Sequence, residues 1–193
     1  MTGPDSSRLI PVGDGDHVLG AEKPELTLVE YGDFGCPFCF AANRPLKSLL
    51  ERYDTLRLVW RHFPDSEVHP GAELAAELSE VAAVHGKFWE AHSLLLSGRD
   101  HFSLPDLTSV AQQLNLELPE VESALGEHTF RERVREDVVG AKKAGVHATP
   151  TFFVGGERLD GPWRQLAQLV PAALRKADAA GKAPSTPHRN QQP

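Results

Sequence analysis

The pattern of hydrophobic and polar positions predicts a sheet-forming unit in the first third of the chain. Residues 26–31 form a nearly continuous apolar run, which is typical of a buried strand. Residues 55–62 alternate and are rich in β-prone side chains, which predicts a second strand. Apolar positions at helical spacing between them predict a helix from about 37 to 53. Strand, helix and strand in this order form a βαβ unit, so we expect the two strands to be parallel.

The pattern then becomes helical from His69 to about Gly145. Five helices are predicted, at about 71–84, 87–96, 104–114, 119–126 and 129–144. Ser103 is placed to cap the third helix. Strand patterns return at 151–154 and 157–159 around a glycine hairpin turn, and a last helix is predicted from 163 to about 177.

This order of elements predicts an α/β protein with a thioredoxin-like fold, βαβ…ββα, that carries an all-α insertion. The thioredoxin-like domain is expected to be discontinuous, formed by residues 8–66 and 146–177, with 67–145 as the inserted helical domain. Residues 8–12 are expected to form a short edge strand, which tolerates a proline, followed by a turn at 13–17. Residues 178–193 have the composition of a disordered tail.

Composition narrows the classes of function. The 193 residues carry 20 Lys and Arg against 27 Asp and Glu, a net charge of −7, and there is no basic run. This balance argues against a nucleic-acid surface. No stretch is apolar enough to span a membrane, and the first ten residues lack the basic and apolar regions of a signal peptide. We therefore expect a cytoplasmic protein, and two cysteines are too few for a disulfide scaffold.

The candidate chemistry lies in the two cysteines, Cys36 and Cys39. Their Cys-x-x-Cys spacing falls between the predicted strand and the predicted helix, the usual context of a thioredoxin-like redox dithiol. Free N–H groups at the start of a helix favour an anion, so we expect Cys36 to be exposed and acidic. Pro37 suits the first helical position. Cys39 lies one turn deeper and should be shielded.

Two other interpretations of the cysteine pair remain open at this point. The thiols could be metal ligands, with His62 or His69 completing a set of four, although the spacing is unlike that of a zinc finger. They could also be inert. The context of the motif favours the redox dithiol.

Three separated motifs carry a family resemblance: Val29–Cys39, Trp60–Pro64 and Gly145–Gly156. With the helical block between them, the chain resembles the DsbA-like thiol-disulfide oxidoreductases, in particular leaderless bacterial members. The resemblance implies exchange of disulfides with protein or small-molecule thiols and with an unidentified redox partner, without a bound cofactor or metal. Cys36 would attack and Cys39 would resolve the mixed disulfide. Related transferases and isomerases replace the first cysteine by serine, and Cys36 argues against that branch.

Two positions differ from the best-known periplasmic oxidase. Pro37-Phe38 stands where that oxidase has Pro-His, and Thr149 precedes the loop proline where it has Val. Phe38 adds no hydrogen-bond donor and no charge near the thiolate, so we expect a less acidic Cys36 and a less strongly oxidising disulfide.

The resemblance also implies roles for residues outside the motif. Pro150 is expected to be cis and to face the dithiol, with Thr149 offering backbone groups to a substrate peptide; the alternative is an ordinary turn proline. Glu30, six positions before Cys36, is expected to be a buried acid that moves the proton of the resolving thiol. The alternative is that Glu30 faces solvent.

The remaining candidates concern substrate contact. His62 is expected either to face the dithiol or to be a satisfied strand-end residue. The predicted substrate-binding residues are Pro37, Phe38, His62, Thr149 and Pro150. Several phenylalanines are candidates for an apolar rim, namely Phe34, Phe38, Phe40 and Phe63, although core packing explains Phe40 and Phe63 more simply. His69 and His147 are interpreted as a helix-start and a loop residue without a role in the site.

Overall fold

The computed structural model describes residue 9 and residues 11–181, with side chains through 177. The strands are β1 His17–Gly20, β2 Leu26–Gly32, β3 Leu56–His62, β4 Thr151–Val154 and β5 Glu157–Arg158. The helices are α1 Pro37–Arg52, α2 Ala72–Val84, α3 Phe88–Leu95, α4 Leu104–Gln113, α5 Leu118–Gly126, α6 Arg131–Lys143 and α7 Leu166–Gly181, the last preceded by a short 3₁₀ turn at Trp163–Gln165. Within these residues, no helix combines the length and the apolar character that crossing a bilayer requires.

The five strands form one sheet in the order β1-β3-β2-β4-β5. β2 and β3 are parallel, as the βαβ pattern predicted, and the other neighbours are antiparallel. β2 lies at the centre and is buried along nearly its whole length, which explains its almost continuous apolar sequence. The cysteine motif therefore follows the carboxyl end of β2, which is the central and largely buried strand of the sheet.

Each face of the sheet buries a separate apolar cluster because strand side chains alternate between the faces. Leu28, Leu58 and Phe152 pack against α1 and α7 on one face. Val29, Val59 and Phe153 pack on the other face, against residues at the end of α6. Glu30 has the same parity as Leu28 and therefore lies on the face that α1 covers.

The predicted all-α block is confirmed as five helices, α2 to α6. Ser103 forms a capping box with Asp106 at the start of α4, as its position suggested. The core of this block is continuous with Phe34, Trp60 and both cysteines. The helical insertion therefore packs directly against the dithiol end of the sheet.

Two expectations at the ends of the chain need correction. The edge strand is His17–Gly20, paired antiparallel with β3, whereas residues 9, 11 and 12 lie outside any strand; residues 8 and 10 are outside the described part. Ladder hydrogen bonds to β3 select the strand segment, and the local sequence does not reveal that partner. α7 continues to Gly181, so the first four residues of the predicted tail 178–193 are helical. Residues 182–193 lie outside the described part, and the domain boundaries remain a prediction.

Gly32, the last residue of β2, offers a test of the packing between sheet and helical block. A Cβ at this position would overlap the six-membered ring of Trp60. We expect Gly32→Ala to lower the free energy of unfolding by about 1–3 kcal/mol, as overpacking of a close-packed core does. Gly126→Ala is the matched control, because no heavy atom lies within 4 Å of a Cβ there and alanine favours a helix. Urea unfolding measures both, and equal effects would contradict the packing argument.

Candidate active site

The cysteine motif lies where β2 ends and α1 begins. The turn Asp33–Gly35 follows β2, and Cys36 is the N-cap of α1 with extended backbone angles of −76° and 119°. The Cys36 N–H donates to the Asp33 carbonyl at 3.1 Å, which closes the turn. Pro37 occupies the first helical position, where a missing N–H costs nothing. The Cys36 sulfur is thereby held at the start of the helix.

The two sulfurs differ strongly in acidity. A hydrogen bond from the Cys39 side chain, assisted by the Thr149 side chain and by the N–H groups of Cys39 and Phe38, outweighs burial and lowers the pKa of Cys36 from 9.0 to about 5. Burial raises the pKa of Cys39 well above 9.0, with further contributions from its bond to Cys36 and from the charge of Glu30. Cys36 is therefore a thiolate at neutral pH while Cys39 keeps its proton. The Cys36 value lies between those of DsbA, about 3.5, and thioredoxin, about 7.

The expectation that Cys36 is exposed is wrong. Only 4% of Cys36 is accessible, against 0% of Cys39, because the sulfur sits between the helix start and the Thr149 loop. Its Sγ lies 3.3 Å from the Thr149 carbonyl oxygen. The difference between the cysteines is thus chiefly one of electrostatics, with only a small difference in exposure.

The loop after α6 carries the predicted proline. The Thr149–Pro150 peptide bond is cis, and the Thr149 carbonyl contacts Cys36, so this loop faces the dithiol as the resemblance implied. Thr151 Oγ1 donates to the Ala148 carbonyl at 2.7 Å and closes the loop in front of β4. Contact of Thr149 and Pro150 with a substrate stays a prediction.

Glu30 is buried, and the solvent-facing alternative is wrong. Its exposure is 1%, on the sheet face that α1 covers. Burial, with a smaller contribution from the charge of Cys36, raises the pKa of Glu30 well above 4.5. Its Oε1 atom is buried and has no hydrogen-bond partner among the described residues. A buried carboxyl with a free oxygen and a raised pKa can hold or release a proton beside the thiols.

His62 does not face the dithiol, and its predicted contact with substrate is wrong. Its side chain is 1% exposed. Its Nδ1 lies 3.2 Å from the indole N–H of Trp60, and its Nε2 lies 3.0 Å from Glu80 Oε1. An indole can only donate, so Nδ1 accepts and the proton on Nε2 is donated to Glu80. The ring is a satisfied member of the helix–sheet interface.

His17, His62 and Glu80 form the one group of three potential metal ligands among the described residues, and neither cysteine belongs to it. His17 Nε2 and His62 Nε2 lie 2.8 and 3.0 Å from the same oxygen of Glu80. Burial alone would raise the pKa of Glu80, but the hydrogen bonds from His17 and His62 hold it well below its usual range. A metal on His62 Nε2 would move the ring proton to Nδ1, which could then no longer accept the hydrogen bond from Trp60. The cationic Arg133 also lies 3.8 Å from Glu80 Oε1, where a metal would bind. The geometry therefore favours a hydrogen-bond network.

The four phenylalanines considered for an apolar rim differ from the expectation in which of them are exposed. Phe38 and Phe40 are 59% and 46% exposed, so core packing is the wrong explanation for Phe40. Phe34 is buried and stacks on Trp60 with 5.1 Å between ring centroids, so it belongs to no exposed rim. Phe63 is partly buried against the cluster on the α6 face. Phe38 and Phe40 form the exposed apolar pair next to the dithiol.

Two further residues lie beside the cysteines: Asp33, which the sequence analysis missed, and His69, which it interpreted as a helix-start residue without a role in the site. The Asp33 side chain is fully buried, and its Oδ2 lies 2.7 Å from His69 Nδ1. The Asp33 carboxylate also accepts from the N–H groups of Gly35 and Asp65, at 2.7 and 2.9 Å. An acidic residue three positions before Cys36 was a visible signal. Its partner, 36 positions away, carried none.

Together these features define a thioredoxin-fold protein with a buried dithiol at the start of its first long helix. A family model described as Thioredoxin matches residues 13–170, and the chain belongs to this family.

Solved structures with a similar fold include BdbD and a DsbA protein. BdbD from Bacillus subtilis, in its oxidised form, superposes with a TM-score of 0.75 at 22% identity, over 89% of this chain and 99% of that one. Alpha-DsbA1 from Wolbachia pipientis has a TM-score of 0.75 at 19% identity, over 90% and 98%. The fold of this chain is thus a DsbA-like thioredoxin fold.

The curated relatives carry a different name and are much longer. A protein from Salinispora tropica named Na(+)/H(+) antiporter NhaA 3 is 41% identical over 175 residues. The match covers 90% of this chain but 26% of the relative. The chain therefore spans about a quarter of the length of the curated relatives it matches.

The acidity of Cys36 can be measured directly. We expect the rate of Cys36 alkylation by iodoacetamide to rise with a midpoint near pH 5, while Cys39 stays unmodified at neutral pH. Cys39→Ala removes the strongest donor to the thiolate and should raise the midpoint by about one pH unit or more. Cys39→Ser keeps a donor and should shift it less. Peptide mass spectrometry follows each site, and a midpoint unmoved in Cys39→Ala would refute the assigned cause.

The burial of Glu30 predicts a pH dependence of stability. The folded-state pKa of Glu30 is raised above its ordinary value of 4.5, so the folded protein binds the extra proton between these two values. Stability is therefore lost as the pH rises through this window. We expect Glu30→Gln to be more stable than the wild type at pH 8, with a smaller difference at pH 4.5. Thermal melts of both proteins test this, with the exposed Glu25→Gln as control; parallel curves for Glu30→Gln would place the charge in solvent.

Proposed function

We propose that the protein is a thiol-disulfide oxidoreductase that acts on cysteines of other proteins or on small thiols. The single observation that carries the proposal is the opposite displacement of the two thiol pKa values, downward at Cys36 and upward at Cys39. One sulfur is prepared to attack and to leave, and the other retains its proton until it is needed. Inert or metal-ligating thiols need no such asymmetry.

The exchange proceeds in two steps that need no bound cofactor. The Cys36 thiolate attacks one sulfur of a substrate disulfide; the Cys36–substrate bond forms, the substrate disulfide breaks, and the departing thiolate takes a proton from solvent. Cys39 then loses its proton and attacks the Cys36 sulfur. The Cys36–Cys39 disulfide forms and the second substrate thiol leaves. The substrate gains two electrons and the dithiol loses them, and the reverse sequence oxidises a substrate dithiol.

Glu30 is the proton acceptor that we assign to the second step. The charge of an ionised Glu30 raises the pKa of Cys39, so the two groups interact. When Cys39 must ionise, a carboxylate with an unpartnered oxygen can take the proton without exposing the site to water. Because burial favours the neutral carboxyl, the proton remains there until the pair is reduced again.

The surroundings of Cys36 suit an extended polypeptide. The Thr149 carbonyl lies beside the nucleophile, and backbone groups in this position can pair with a substrate strand. Phe38, between the two cysteines, presents an exposed apolar side chain, Pro37 starts α1, and Pro150 follows Thr149 in a cis peptide bond. The reduction potential gives the direction of electron flow: about −120 mV indicates an oxidase and about −270 mV a reductase.

The antiporter name of the longer relatives is not carried over to this chain. We infer that the region of about a quarter of their length that matches this chain is a redox unit, and that the name refers to the remaining part. A metal-binding or chaperone-like module built on the same cysteine pair is the alternative. The metal set that it would need does not form around the cysteines of the described residues.

The two sulfurs should behave differently when mutated. We expect Cys39→Ser to accumulate mixed disulfides with substrate proteins that dithiothreitol releases, because Cys36 still attacks substrate disulfides, one substrate sulfur leaves as a thiolate, and nothing resolves the remaining bond. Cys36→Ser should accumulate few. Samples quenched with acid and run on non-reducing gels separate the cases, with insulin reduction by the wild type as the activity assay. Equal trapping by both variants, or by neither, would be incompatible with the proposed roles and would favour equivalent metal ligands.

A further inference from the structure

We propose that the backbone N–H of Asp33 is the hydrogen-bond donor for the resolving sulfur, and that His69 is the positioning residue that holds it there. This inference rests on the proposed function, because it concerns the second step of the same exchange. The contacts that carry it lie between the turn before Cys36 and the segment that leads into α2.

The backbone of Asp33 touches both cysteines. Its N–H lies 3.5 Å from Cys39 Sγ, and its carbonyl accepts from the Cys36 N–H at 3.1 Å. Burial makes ionisation of Cys39 costly, and the Asp33 N–H acts in the opposite direction, lowering the pKa of that thiol. A buried anion that loses a donor pays a large desolvation cost. The Asp33 N–H therefore matters most at the moment when Cys39 becomes a thiolate.

The carboxylate of Asp33 fixes the orientation of this N–H. Oδ1 accepts from the Gly35 N–H at 2.7 Å, and Oδ2 accepts from the Asp65 N–H at 2.9 Å. His69 Nδ1 lies 2.7 Å from the same Oδ2, so the ring adds a side-chain hydrogen bond to the two that the carboxyl already accepts from backbone N–H groups. The buried carboxyl group thus joins the active-site turn to the segment before α2 through two hydrogen bonds, and a third, from Gly35, closes the turn itself.

His69 is itself held firmly. Its N–H donates to the Asp65 carbonyl at 2.7 Å, and its carbonyl accepts from the Ala72 N–H at 3.0 Å, at the start of α2. A Cβ on Gly35 would lie 2.5 Å from the His69 Cβ, so the histidine packs directly on the residue before Cys36. Removing its ring would free one side of the Asp33 carboxylate and loosen the turn that carries the N–H.

If the hydrogen bond between His69 and Asp33 only stabilised the fold, its loss would change the rates of both exchange steps alike. The proposed role is selective, because the Cys36 thiolate accepts hydrogen bonds from Cys39 and from the N–H groups at the start of α1, whereas the Asp33 N–H donates to Cys39. The first attack should therefore be nearly independent of His69, and the resolving attack should depend on it.

Ellman's reagent separates the two steps in the full-length reduced protein. The Cys36 attack releases one thionitrobenzoate, and the Cys39 attack on the resulting mixed disulfide releases the second, so stopped-flow absorbance shows two phases. We expect His69→Leu to slow the second phase about tenfold, which is about 1.4 kcal/mol of activation free energy, and the first phase less than about twofold. His69→Asn retains a donor near the Nδ1 position and should restore most of the second-phase rate.

His85→Leu is the matched control, because His85 forms an exposed pair with Glu120 at 3.0 Å on the far end of α2. It should change neither phase. A normal first phase in His69→Leu shows that the variant is folded at the site. Equal slowing of both phases, or an unchanged second phase in His69→Leu, would overturn the positioning role while leaving the proposed function intact. A wild type that releases only one thionitrobenzoate would overturn the proposed function as well.

Discussion

The contact between the first turn of α1 and the end of β2 is the constraint on which the site depends. It places one sulfur where helix N–H groups and a neighbouring thiol converge, and it buries the other sulfur one turn further in. A negative charge is thereby favoured at Cys36 and penalised at Cys39, within a single helical turn. The sheet, the Thr149 loop and the helical insertion all serve to keep water from this junction.

Asp33, Glu80 and Glu30 are buried acidic side chains that differ in their hydrogen-bond partners. This difference distinguishes acids that stabilise the structure from an acid that can transfer a proton. Asp33 has both oxygens in hydrogen bonds, and Glu80 is shared by two histidines. Glu30 keeps one oxygen without a partner, and burial raises its pKa. A buried polar atom left unpaired is costly. Among the described residues Glu77 also has an unpartnered buried oxygen, so Glu30 is distinguished by its electrostatic interaction with the two thiols.

The helical insertion is part of the site and more than a cover. Phe34 of the active-site turn stacks on Trp60 of β3, and His92 of α3 meets the same tryptophan with 4.5 Å between ring centroids. Burial lowers the pKa of His92 to about 3, so this ring is neutral and packs as an apolar group. His69 adds a polar connection at the start of α2. A displacement of the insertion would therefore reach the cysteines through the packed rings and through the hydrogen bond between His69 and Asp33.

The sequence by itself determined the order of elements, the parallel βαβ pair, the five-helix insertion and the cysteine site, because hydrophobic periodicity and the Cys-x-x-Cys turn are local signals. The resemblance added the cis Pro150 and the burial of Glu30. The tertiary structure alone decided that residues 17–20 form the edge strand, that His62 turns to Glu80, and that Phe40 stays exposed. It also alone paired Asp33 with His69, across 36 positions. Such choices depend on which distant segment packs against a residue, and a side chain's own neighbours in the sequence do not encode that partner.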